Sequence, residues 1–212
     1  MFRKFITCLT AVLALLFLAG AANSQVESNR SATLVLRSPV LAGSGPAERT
    51  LKIDDLFFET VKGRVTLPPH FTGEVARNPW SSQWKMDDGR VVDIKVTPRG
   101  RNFMIELSAK PDADVVRWGL SVDARADEYY TGLMERVVDG PQAASWAPGI
   151  TQAMNLRGQK VDMLVKPTTS IYAPFYLSSR GYAVFVHGTW PGQFDFAAGD
   201  PKAVKIDFEG PS

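Results

Sequence analysis

Apolar and polar residues alternate one by one through much of the chain after residue 90. Val92, Ile94 and Val96 alternate with Asp93, Lys95 and Thr97, and Phe103, Ile105 and Leu107 with Met104, Glu106 and Ser108. Pro98-Arg99-Gly100 lies between the two runs, so they predict a β-hairpin. Val116, Trp118, Leu120 and Val122 repeat the pattern, as do Tyr182, Val184 and Val186, and Val204, Ile206 and Phe208. Strands with one wet face belong to antiparallel sheets, and a run of them predicts an all-β sandwich or barrel. The 17 Gly and 14 Pro residues are spread as turns between short strands require. One stretch has a different period. From Asp127 to Asp139, Tyr130, Leu133, Met134, Val137 and Val138 fall at helical spacing with Gly140 behind them. That spacing alone predicts a helix, weakened by Gly132 at its centre.

The first 24 residues stand apart. Arg3 and Lys4 precede an apolar stretch from Phe5 to Ala22, and Ala22-Asn23-Ser24 offers a small-x-small cleavage site, the layout of a signal peptide for export. Residues 25–31 are polar and read as flexible, and the sandwich begins at Ala32. Cleavage after Ser24 removes two of the 24 basic residues and balances the rest against 22 acids. A neutral chain without a Lys/Arg block lacks the electrostatic footprint of a nucleic-acid binder. No later apolar run reaches the ~20 residues of a spanning helix, so the mature chain is not expected to span a membrane. Cys8, the single cysteine, lies within the leader, which leaves no disulfide, thiolate metal site or Cys nucleophile afterwards. No cofactor is expected.

Candidate chemistry is sparse. His70 and His187 are the only histidines, and no local spacing joins them into a metal site. Gly-x-Ser-x-Gly elbows and phosphate-cradling glycine motifs are absent. Trp80 and Trp84, in the polar stretch Asn78–Trp84, read as loop residues, as does Trp190 after His187-Gly188-Thr189. An indole on a rigid loop beside polar donors can stack on the C–H face of a sugar, or it can cap the end of a core. Trp190, His187 and Asp195 are therefore the candidate carbohydrate contacts.

Ala173-Pro174-Phe175-Tyr176-Leu177-Ser178-Ser179-Arg180-Gly181-Tyr182-Ala183-Val184-Phe185-Val186, followed by Pro191-Gly192-Gln193-Phe194-Asp195-Phe196, resembles a conserved-order stretch of family-31 glycoside hydrolases, the α-glucosidase and α-xylosidase family. Upstream, Tyr130-Thr131-Gly132-Leu133-Met134-Glu135-Arg136 is similar to that family's "YGLGER", and Leu156-Arg157-Gly158-Gln159 to the loop after it. The resemblance covers about 95 residues from Trp118 onward. It implies that 32–212 is the family's N-terminal domain, a galactose-mutarotase-like β-sandwich (supersandwich), with Gly132, Glu135, Arg136, Pro174, Phe175, Tyr176, Gly181 and Tyr182 as structural residues. It turns the Tyr130–Val137 segment from helix to strand. Phe175 and Leu177 then supply one face of a hairpin that turns at Ser178–Gly181. Met134 stands where the family has glycine, and Val165–Ser170 lacks the aspartate that faces the sugar in the family.

The family's two catalytic aspartates lie on a (β/α)8 barrel, and the resemblance places that barrel and the last sandwich strand beyond Ser212. The chain is thus expected to be exported, periplasmic or extracellular, and non-catalytic alone, with no catalytic residue and no metal of its own. Its expected partners are a carbohydrate ligand and the barrel. Two other readings stay open: a stand-alone carbohydrate-binding module using Trp190, and a mutarotase-like epimerase pairing His187 or His70 with Glu135 or Asp195.

Overall fold

Alternation becomes strands almost wherever it occurs. The structure, a computed structural model, describes residues 32–38, 49–133, 155–163, 173–188 and 190–210. The predicted leader, residues 25–31, Met134, Glu135, Arg136 and the loop 165–170 lie outside them. The strands are β1 Leu34–Ser38, β2 Arg49–Thr60, β3 Gly63–Thr66, β4 Gly73–Val75, β5 Trp80–Lys85, β6 Val91–Arg99, β7 Asn102–Lys110, β8 Val115–Asp123, β9 Tyr130–Gly132, β10 Lys160–Met163, β11 Phe175–Ser178, β12 Ala183–Phe185, β13 Gly192–Phe196 and β14 Ala203–Glu209. Every pairing is antiparallel except that of β1 with β4.

One large sheet runs β10-β13-β14-β8-β2-β1-β4, with β3 added beside β2. The described residues also form two three-stranded sheets, β5-β6-β7 and β12-β11-β9. Cross-strand partners share a face, and Leu34, Ile53, Val122, Val204 and Phe196 are successive partners across the large sheet. All five are buried, so one face of that sheet carries the core. Its other face is wet: Arg117 bonds Asp207 and Glu209 and lies 3.9 Å from Glu59.

The core divides into two clusters along the sheet. In the first, Leu34, Ile53, Leu56 and Phe58 pack with Val92, Ile94 and Val96 of β6. In the second, Phe194, Phe196, Val204, Ile206 and Phe208 pack with Tyr130 and Tyr176 of the β9-β11-β12 sheet. Leu51 and Leu120 touch both clusters. Each large apolar side chain withdrawn this way contributes about 1.5–3 kcal/mol. This is an antiparallel β-sandwich, the fold class the alternation predicts.

Two expectations are corrected. Trp80 and Trp84 are not on a loop: both sit on β5, half-buried on its inward face and packed on the first cluster. Ser81 and Gln83 occupy the solvent face, as period-two patterning demands, while Ser82 shares the inward face with the two indoles. The helix predicted from Asp127 is not formed over its described part. Tyr130–Gly132 is a strand that pairs with β11 through Tyr176, Leu177 and Ser178. Gly132 and Leu133, at φ 121° and 74°, leave the helical region altogether.

Candidate functional site

The residues that carry the family resemblance converge on one place. β11 and β12 form the predicted hairpin, with Tyr176 opposite Val184 and Leu177 opposite Ala183. Gly181, at φ 80°, closes the turn by donating its N–H to Ser178 O, and Ser178 N–H reaches Tyr182 O. Beside the hairpin, β9 comes so close that a Cβ on Gly132 would lie 2.6 Å from Phe175 O. Pro174 is buried, and its carbonyl accepts from Val186 N–H. These glycines and the proline serve backbone geometry.

Inside the hairpin lies a polar knot that sequence reading missed. Glu128 is buried, with its carboxylate accepting from Ser178 Oγ and, at 3.0 Å, from Arg125 N–H. Arg180 approaches it to 3.5 Å while donating to the carbonyl and carboxylate of Asp123, each at 2.9 Å, and to Thr50 O at 3.0 Å. Burial works against the Arg180 charge, but Asp123 and Glu128 outweigh it and hold the guanidinium more firmly protonated than usual. Tyr130, Tyr176 and Tyr182 pack edge to face around the same spot, with Tyr176 5.8 Å from Tyr130 and 6.2 Å from Tyr182. None of their hydroxyls closes a hydrogen bond of ordinary geometry. Burial first, and then the Glu128 carboxylate, raise the Tyr130 and Tyr182 phenols far above their usual value; burial and then Tyr182 do so for Tyr176. Walled in by its partners, Glu128 locks the hairpin to the turn before β9. Its signal in the sequence is only its place two residues before Tyr130.

The three candidate sugar contacts are not assembled into one site by any recorded contact. Trp190 is 53% exposed, so it does not cap the core. The back of its ring rests on Gly210, where φ is +117° and a Cβ would come within 2.9 Å of the indole. His187 is exposed, its ring 6.3 Å from Phe185. Asp195 is buried and occupied: it accepts from Ala198 and Gly199 N–H at 2.7 and 3.2 Å and faces Lys160 Nζ at 3.5 Å, which closes the turn between β13 and β14. His70 lies elsewhere, against Phe71 and Trp84. Among the described residues no group of three or more His, Cys, Asp or Glu side chains has the arrangement of a metal site.

Among the described residues, the outer face of the β9-β11-β12 sheet gathers several exposed apolar side chains. Phe175 and Phe185, directly opposite each other, are 37% and 60% exposed, and Leu177 between β9 and β12 is 46% exposed. Ala183 is exposed beside Leu177, and Tyr129, 56% exposed, immediately precedes β9. Scattered surface hydrophobics are ordinary, whereas a contiguous sheet face of them marks a contact surface.

No protein-family description matches the sequence, and no curated protein matches it. Several solved structures do. A GH31 dextranase from Flavobacterium johnsoniae is 13% identical, with a TM-score of 0.32 over 75% of this chain and 22% of that one. The cycloalternan-degrading enzyme from Trueperella pyogenes is 15% identical, with a TM-score of 0.37 over 86% and 26% of the two chains. The cycloalternan-forming enzyme from Listeria monocytogenes is 13% identical, with a TM-score of 0.37 over 83% and 20%. This chain therefore spans about a fifth to a quarter of the length of these enzymes. At such identities and TM-scores nothing of their activities passes to this chain.

Proposed function

We propose that this chain is the non-catalytic, exported β-sandwich of a family-31-like glycoside hydrolase, and that it packs the outer face of its β9-β11-β12 sheet on a (β/α)8 catalytic barrel. The observation that carries the reading is that face: the same strands whose inward residues form the motif cluster leave Phe175, Leu177 and Phe185 uncovered on the outside. Burying about three such side chains supplies several kcal/mol of docking energy. Retaining glycosidases need two carboxyl groups about 5–5.5 Å apart in an open cleft; Glu128 is sealed and Asp195 is consumed by its own turn. The purified chain should not hydrolyse nitrophenyl α-glucosides or α-xylosides. Added to a family-31 barrel stripped of its own sandwich, it should raise the barrel's melting temperature, and Leu177→Asp with Phe185→Asp should abolish that gain. Turnover by the chain alone that disappears in Asp195→Asn or Glu135→Gln would sink the reading.

The half-open indole of Trp190 favours a second reading, a carbohydrate-binding module. Soluble oligosaccharides would then shift the indole fluorescence of the chain, and Trp190→Ala would remove the shift without loss of fold.

A further inference from the structure

The layer that faces the large sheet is in two pieces. β5 lies at one end of it, where Trp80 covers Gly73 of β4 so closely that a Cβ there would be 2.5 Å from the indole. β9 lies at the other end: Tyr130 O accepts from Leu156 N–H, and Gly158 N–H donates to Phe196 O just before β10. The strand orders β5-β6-β7 and β12-β11-β9 therefore make β7 and β12 the two inner edges. Among the described residues β7 pairs only with β6, and β12 only with β11.

Burial falls off between these edges. Ile94 and Val96 of β6 are fully buried, but Leu107 and Ile105, their partners on β7, are only partly so. Tyr176 of β11 is fully buried, and its β12 partner Val184 is not. Beneath them β8 lies between β14 and β2 in the large sheet, yet Trp118 and Leu120 on its core face are only partly covered, as is Leu51 of β2. The middle of a sandwich core is where facing side chains should interdigitate best. Here an apolar trough runs along it.

The two edges point the same way. β7 reaches the start of β8 through residues 111–114, and β12 reaches the start of β13 through residues 186–191. Gly192 pairs with Phe208, and Glu209 with Arg117, so the starts of β13 and β8 adjoin the same end of β14. Both connections are too short to run back along the sandwich. β7 and β12 thus stop at one end and are parallel to each other.

We propose that the trough takes a single extended strand of a partner polypeptide, inserted between β7 and β12 and antiparallel to both. One such strand bonds both edges with antiparallel ladders and sets every second side chain on Leu51 and Leu120. A small apolar molecule would fill the trough but leave both rows of backbone groups unmatched. A second copy of this chain would have to give up a strand already held in one of its own sheets. The inserted strand is therefore apolar at alternate positions and polar between them, where it emerges beside Glu106. It uses the inner edge of β12, not the outer face of that sheet, and does not depend on the glycosidase-domain reading.

Amide hydrogen exchange of the full chain with a nine-residue peptide, matched to β7 and alternating valine with threonine and lysine, tests it. In the free chain the alternate β7 amides turned away from β6 should exchange fast. The peptide should slow them saturably by about tenfold or more, together with the β12 amides turned away from β11. A spin label on its N-terminus should broaden Lys110 and His187 and spare Gly100. The same peptide N-methylated at its valines should bind about tenfold more weakly or worse. No saturable protection, broadening at Gly100 instead of Lys110, or equal binding of the N-methylated peptide would each overturn the proposal. So would β7 amides already protected in the free chain, whether by its own residues or by a second copy.

Discussion

Above pH 10.0, where the tyrosines of an unfolded chain lose their protons, the folded chain retains those of Tyr130, Tyr176 and Tyr182. Their folded values are raised, so the folded state binds more protons than the unfolded one in that range. The resulting stability is fully present below pH 10.0 and is lost as pH rises towards the folded values. Each phenol contributes a slope of about 1.4 kcal/mol per pH unit. Denaturant unfolding between pH 9 and 11 should therefore show a steep fall, and Tyr130→Phe with Tyr176→Phe should leave about a third of it. An unchanged slope in that variant would mean that the phenols are not sealed. At neutral pH, Tyr176→Phe should be neutral or stabilising by about 1 kcal/mol, because the buried hydroxyl it removes makes no hydrogen bond of ordinary geometry. At this scale the sequence singled out tyrosines and glycines in a patterned stretch but left Trp190 open between a sugar platform and a core cap. It was silent on Glu128, because only the approach of Ser178 and Arg180, fifty and more positions away, makes that carboxylate an interior group.

Elements were legible where alternation was regular and misleading where two periods coincide. Tyr130 and Leu133 are both buried and three positions apart, which a helix would also produce. Here Tyr130 points inward from a strand, and the positive φ of Gly132 and Leu133 swings the chain so that Leu133 returns to the same core. Trp80 and Trp84 were obscured by polar residues on both faces of β5, Ser82 beside them and Ser81 and Gln83 towards solvent. The β9–β11 junction can be tested by two glycines that both hold a positive φ but have unequal surroundings. Gly132→Ala drives a methyl against Phe175 O and Tyr176 Cα and should cost about 3 kcal/mol or more. Gly89→Ala, at φ +86° with open space around it, should cost only about 1–2 kcal/mol. Equal losses in thermal unfolding would mean that β9 does not need the close approach.

Across the whole molecule, the fold separates its stability from its exposed surface. The large sheet places Phe194 and Phe196 between β10 and β14, stacked 5.7 Å apart and fully buried, so Phe194→Ala should destabilise the chain by about 3–5 kcal/mol. On the outer face of the β9-β11-β12 sheet the same kind of residue stabilises little, because Leu177 and Phe185 remain largely in water. Among the described residues β12 is also an edge strand of three residues, so an apolar face and a sheet edge adjoin. Chains kept apart from any docking partner should therefore self-associate through this face. Leu177→Gln with Phe185→Gln should shift the sedimentation profile towards monomer and reduce binding of a hydrophobic dye, while the melting temperature changes by no more than a few degrees. A wild-type chain that sediments as a monomer at all concentrations, or a double variant that unfolds as readily as Phe194→Ala, would show that these side chains belong to the core and not to a contact surface.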